Sequence, residues 1–175
     1  MTGKRPKTMA TESTPDRIIE DLLARYEGTQ VVAAWGERSI FYNPGGRLPR
    51  GVYFATVKEK DGDNDKVSQL DRAGVFRLNV GTTKPLFVER FGPPPPRPGK
   101  GGVVDGPWDF TAIDSLTPHP VYGWMSWVAV LNPSTETLTD MDELISAAFT
   151  KAKTAFEKKV GKAPRAGRSP AQDFR

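Results

Sequence analysis

Helical periodicity at both ends of the chain, and period-two alternation between them, predict one α+β domain. It is a mostly antiparallel sheet flanked by an N-terminal and a C-terminal helix. The turn signals between the alternating stretches, rich in Gly, Pro, Asn and Asp, sit close enough together for strands to pair with their neighbours. At 175 residues the chain is long enough for one proper core. The predicted domain spans residues 14–160, between basic tails at 1–13 and 161–175 whose composition predicts disorder.

Thr14-Pro15-Asp16 opens the first helix with a capping hydroxyl, a proline at the first helical position and a carboxylate in the positive first turn. Ile18, Ile19, Leu22, Leu23 and Tyr26 form its apolar face, and Gly28 closes it. Residues 30–35 and 39–42 read as strands turning near Gly36 and Glu37. Asn43-Pro44-Gly45-Gly46 is a turn, 51–58 a third strand and 61–65 a polar loop. Residues 74–80 are a fourth strand and 84–91 a short helix, although Pro85 restricts its start.

Residues 92–107 hold four consecutive prolines followed by glycines, a composition that predicts a surface loop. Residues 108–116 are irregular. Residues 122–131 read as one long strand, apolar on both faces and therefore central in the sheet. Asn132-Pro133 ends it. Thr139-x-x-Asp142 has the form of a capping box, and Met141, Leu144, Ile145, Ala148, Ala152 and Phe156 then line one helix face as far as Gly161.

Composition excludes several chemistries. The chain has no cysteine and one histidine, which removes disulfides, thiol catalysis, cysteine zinc sites and a three-histidine metal site. Asp61-x-Asp63-x-Asp65 begins like a calcium loop, but Lys66 and Arg72 stand where that loop needs glycine and glutamate. Gly99-Lys100-Gly101-Gly102 lacks phosphate-loop spacing. No cofactor, metal or membrane association is expected. The formal charge is +4, yet residues 1–10 carry +3 and residues 158–175 carry +5, which leaves −4 between them. The basic character belongs to the tails, so nucleic acid is not the expected partner.

Three stretches carry candidate chemistry. Alternation over 75–80 puts Phe76, Leu78 and Val80 on one face and Arg77 and Asn79 on the other. A guanidinium in an inner strand must be paired. Arg77 is then either an anion anchor or one half of a structural ion pair, with Asp71 or Asp109 as candidate partners. His119 lies between Pro118 and Pro120 on a stiffened backbone, as a general acid or base or as a hydrogen-bonded histidine at the start of a strand. The bonds preceding both prolines are candidates for the cis isomer. Trp108, Trp124 and Trp127 fall near His119 in the chain and are candidates to wall an apolar pocket. Ser126, Ser134 and Thr135 have no nucleophile elbow around them.

Residues 70–81 (Leu-Asp-Arg-Ala-Gly-Val-Phe-Arg-Leu-Asn-Val-Gly), Asp109–Asp114, Pro118–Gly123 and Trp127–Pro133, with the turn Phe41-Tyr42-x-Pro44-x-Gly46, together resemble the bacterial domain of unknown function family 6194. The resemblance covers about residues 16–157. It implies a stand-alone cytoplasmic protein of high-GC bacteria and assigns no catalytic residue. Arg77, Asn79 and His119 fall inside its motifs, whereas the basic N-terminal extension and the proline-glycine stretch depart from them. The order of helix, strands and helix is also distantly similar to the MmcQ/YjbR-like domains, an analogy of fold alone.

The expected function is a cofactor-independent small-molecule enzyme of isomerase, cyclase, hydrolase or lyase type, in biosynthetic tailoring. Its partner is a small, anionic molecule. His119 serves as acid or base, Arg77 holds the anionic group, Asn79 orients it, and Tyr53, Tyr122 and Trp124 line the pocket. The alternative is a non-catalytic module that binds a ligand or a protein. A concave pocket faced by both His119 and Arg77 favours the enzyme. An Arg77 fully engaged by a carboxylate favours the module.

Overall fold

The computed structural model describes residues 13–162. Helix α1 (Pro15–Arg25) starts where the Thr14 side chain accepts the amide of Arg17 at 3.2 Å. Strands β1 (Thr29–Ala34), β2 (Glu37–Tyr42) and β3 (Val52–Lys58) form an antiparallel meander. Strand β4 (Arg77–Gly81) leads into helix α2 (Lys84–Phe91). The two-residue strand β5 (Thr117–Pro118), strand β6 (Trp127–Leu131) and helices α3 (Thr135–Asp140) and α4 (Asp142–Lys162) complete the order. The predicted α+β architecture is the one found: a single six-stranded sheet in the order β1-β2-β3-β4-β6-β5, every pair antiparallel, with α1 and α4 on one face.

Alternation sorts the side chains. Val57, Leu78 and Val130 face the helices, as do Ala55, Val80 and Val128. They meet Leu144, Ile145, Ala148 and Ala152 of α4. A bulge in β3 sets Phe54 and Ala55 together opposite Ile40, so Phe54 also turns inward, 5.9 Å from Tyr26 and 5.5 Å from Phe149 between ring centroids. The opposite face carries Thr56, Asn79 and Ala129 in one row and Lys58, Arg77 and Leu131 in the next.

Three local expectations are corrected. The long strand over 122–131 does not form: Gly123–Met125 is a turn of 3-10 helix, Ser126 is left-handed at φ 68°, and only Trp127–Leu131 is extended. That short strand still lies inside the sheet, between β4 and β5. The fourth strand begins at Arg77, three residues later than the alternation predicts. The Thr139 capping box is absent; the Ser134 side chain caps α3 through the amide of Thr137, and the Thr139 hydroxyl donates to the Thr135 carbonyl. The 92–107 stretch has no regular element, yet it is anchored: Val104 is buried and its amide donates to the Pro120 carbonyl at 2.8 Å. No cis peptide bond occurs among the described residues. Of the basic tails expected at 1–13 and 161–175, residues 1–12 and 163–175 lie outside the described residues, and α4 continues through Lys162.

Candidate functional site

Arg77 sits at the start of β4 with no exposed surface at all. Its Nε donates to Asn79 Oδ1 at 2.7 Å. Nη1 donates to Asp65 Oδ1 at 3.0 Å and to Ser68 Oγ at 2.9 Å, and Nη2 donates to the other oxygen of Asp65. The fork is therefore bidentate on one carboxylate, the strongest pairing a guanidinium makes. Burial would push the Asp65 carboxyl up, but the hydrogen bonds and charge of Arg77 outweigh it and hold the group below its ordinary 3.8. The partner is Asp65, not Asp71 or Asp109. Asp71 instead accepts the amide of Asp61, and Asp109 the amide of Thr111.

The remaining direction around Arg77 is filled by His119, whose Nε2 lies 3.3 Å from Nη2. The other ring nitrogen, Nδ1, accepts the amides of Val121 and Tyr122 at 3.0 Å each. Together with the Gly123 amide on the His119 carbonyl, these bonds make His119 an N-cap, with Pro120 at the first position of the turn. Three donors thus converge on one ring. A neutral imidazole has a single lone pair, which the two amides occupy, and its proton then sits on Nε2. An imidazolium would have no acceptor for any of them. Burial first, and the charge of Arg77 second, push His119 well below its ordinary 6.5. The ring is 2% exposed.

Asn79 carries the chain of bonds onward, from Arg77 to the Thr56 hydroxyl at 2.9 Å, and Thr56 donates to Glu37 at 3.2 Å. Arg77, Asn79 and His119 are therefore brought together in one buried polar network, in which the Nε2–H of His119 faces Nη2 of Arg77 without an acceptor. Neither of the two recesses described below is lined by Arg77, Asn79 or His119. Tyr53 and Tyr122 lie nearer the surface on the same side of the sheet, each about half exposed. Tyr53 stands 5.5 Å from Trp127, and Tyr122 stands 5.0 Å from the His119 ring, between centroids. The Trp127 indole covers Gly81, where a side-chain carbon would lie 2.5 Å from it.

Trp124 points elsewhere. It lines a recess of about 720 Å³ together with Met125, the prolines Pro93 and Pro94, Lys84 at the start of α2, and Lys151 of α4. The Arg97 guanidinium stacks over the Trp124 ring at 4.8 Å. No carboxylate lines this recess. Lys84 and Lys151 make no ion pair among the described residues, and burial lowers the Lys151 ammonium from its ordinary 10.5. Lys151 donates to the Thr82 carbonyl at 3.2 Å. Sequence reasoning found Trp124 but not its cationic companions. Lys84, Arg97 and Lys151 are scattered along the chain and share no motif; packing sets the two lysines in the recess that Trp124 lines and Arg97 over its ring.

A larger cleft, about 830 Å³, opens at the far end of β4 and β6 and includes Asp71, Arg72, Asp114 and Asn132. Several of its polar groups are engaged within the fold, although Ser13 Oγ is buried without a partner. Asn132 clamps the 74–76 segment through the Gly74 carbonyl and the Phe76 amide, Asp114 accepts the Ser134 amide, and Arg72 donates to three carbonyls. These bonds lock the loops together and leave mixed charge on the walls. Among the described residues no group of three potential metal-ligating side chains occurs, and no helix is long and apolar enough to cross a membrane.

The chain belongs to a family of unknown function (DUF6194), whose family model matches residues 13–161. No curated protein and no solved structure matches it, and the distant likeness to the MmcQ/YjbR-like domains gains no support from these comparisons.

Proposed function

We propose that the protein is a non-catalytic binding module that takes a small anionic ligand with an apolar or aromatic part in the recess at Trp124. The observation that carries this reading is the charge of the recess: Lys84 and Lys151 line it beside Trp124 with no carboxylate among the lining residues, and Arg97 stacks over the indole. Unneutralised cations beside an aromatic wall suit an anion that also stacks. The state of the buried network supports the same reading. Arg77 has no donor directed at a ligand, and His119 has neither the exposure nor the spare lone pair of a general base.

A thermal-shift screen of anionic metabolites tests it. A ligand at about a hundred times its dissociation constant stabilises by roughly 2.7 kcal/mol, which is roughly a 5–10 °C rise for a domain of this size. The expected hit disappears in Trp124→Ala and weakens in Lys84→Ala, while Ile113→Glu, which blocks the larger cleft, leaves it unchanged. A hit lost only in Ile113→Glu moves the site to the larger cleft. Turnover of a hit would restore the enzyme reading.

A further inference from the structure

The free edge of the sheet has a chemistry of its own. β1 ends the strand order, and its outer side pairs with no described strand. The Gly28 carbonyl accepts the Asn43 amide at 2.9 Å, and the register places Thr29 against Tyr42. Bonded and non-bonded pairs alternate along an antiparallel ladder. The even-numbered residues of β1 therefore bond inward to β2, and the N–H and C=O groups of Thr29, Val31 and Ala33 point outward.

Proteins guard such edges with lysine, proline or a bulge. The edge Thr-Gln-Val-Val-Ala-Ala has none of these, and Val31 and Val32, on opposite faces, are 40% and 41% exposed. The turn to β2 presents Trp35 at 97% exposure. Trp35 and Gly36 both have positive φ, 50° and 75°, a two-residue hairpin geometry that favours Asn-Gly. A bulky aromatic is thus held left-handed at the tip of an unguarded edge, with almost nothing of its own chain to pack on.

We propose that β1 pairs antiparallel with β1 of a second copy of this chain about a two-fold axis, joining the two sheets into one. A two-fold axis requires outward-bonding residues to meet outward-bonding residues, so Val31 meets Val31 of the second copy, or Val32 meets Val32. The strand is uncharged, so self-pairing opposes no like charges. The flanks select the Val31 register, which sets Glu27 opposite Trp35, whereas the Val32 register would set it opposite Glu37. Glu27 of each copy reaches the Trp35–Gly36 turn of the other, where the stem of Lys60 lies within 3.3 Å of the place a Gly36 side chain would take. Neither Glu27 nor Lys60 has an ion-pair partner among the described residues. Symmetry forms this pair twice.

Sedimentation velocity of the full chain over a wide concentration series tests the pairing against the 19.2 kDa monomer. The wild type is expected to form a reversible dimer. Val32→Lys is expected to leave a folded monomer, its fold checked by circular dichroism. Glu27→Lys, which sets lysine against Lys60, is expected to weaken the dimer at least tenfold, and Glu27→Lys with Lys60→Glu to restore it. A wild type that stays monomeric at every concentration overturns the proposal, whether the edge is then covered by a tail or by another protein. A dimer indifferent to Val32→Lys, or not rescued by the charge swap, overturns it as well.

Discussion

Lowering the pH from 8 to 5 should cost this protein up to about 2 kcal/mol of stability, through one residue. His119 is the only histidine in the chain. In the fold its ring is 2% exposed and held well below its ordinary 6.5, first by burial and then by Arg77. The unfolded chain takes up a proton near pH 6.5 while the folded chain does not. The unfolded state therefore binds more protons below that pH, and stability rises with pH. The His119 contribution is fully present above about pH 6.5 and lost as pH falls, at up to about 1.4 kcal/mol per unit. Integrated to pH 5, with the folded ring still neutral, the loss is about 2 kcal/mol, roughly 4–8 °C in Tm. Carboxylates contribute little here, since their unfolded values lie near 4. Urea unfolding followed by circular dichroism between pH 5 and 8 measures the slope. His119→Asn keeps an acceptor for the Val121 and Tyr122 amides and should flatten it. A flat wild-type profile, or an unchanged slope in the variant, would refute the neutral, capping histidine and return it to the pool of titrating groups from which a catalytic base is drawn.

Other perturbations probe neighbouring parts of the same frame. Asp65→Asn leaves the unexposed Arg77 without its carboxylate and should cost about 3–5 kcal/mol by chemical denaturation, against under about 1 kcal/mol for Asp16→Asn in the exposed Arg38 pair. Because the folded Asp65 carboxyl lies below 3.8, its stabilisation is present above that pH and lost as pH falls further; the Asn variant should lack this acid-side loss, as unfolding midpoints below pH 4 will show. Gly81→Ala drives a methyl into the Trp127 indole and should cost about 1–3 kcal/mol, partly recovered when Trp127→Leu is added, in a thermal-melt comparison of single and double variants. Trp35→Asn relieves the left-handed tryptophan and should stabilise the dilute protein by about 1 kcal/mol in urea titrations.

Local pattern was enough for much of the architecture. Thr14-Pro15-Asp16 set the start of α1, because capping and proline placement act within one turn. Leu144, Ile145, Ala148, Ala152 and Phe156 marked the buried face of α4, because a helix exposes its period to any reader. Alternation separated Phe76, Leu78 and Val80 from Arg77 and Asn79, and required that a guanidinium so placed be paired. The long strand over 122–131 was misread because its apolar run hid a left-handed Ser126 and a turn capped by the His119 ring, and neither has a period.

The identity of each partner was decided only by the tertiary structure. Asp65 looked like one acid of a solvated loop, and it became the counter-ion of Arg77 when that loop folded over β4. His119 looked available for proton transfer until the amides of Val121 and Tyr122 took its lone pair. Trp124 came to share a recess with Lys84 of α2 and Lys151 of α4, with Arg97 of the intervening loop over its ring. Periodicity and capping are short-range and leave their mark in consecutive residues. Charge pairing and recess lining depend on which distant segments pack together, and that is settled by the summed burial of the core, whatever the spacing of the polar residues it brings into contact.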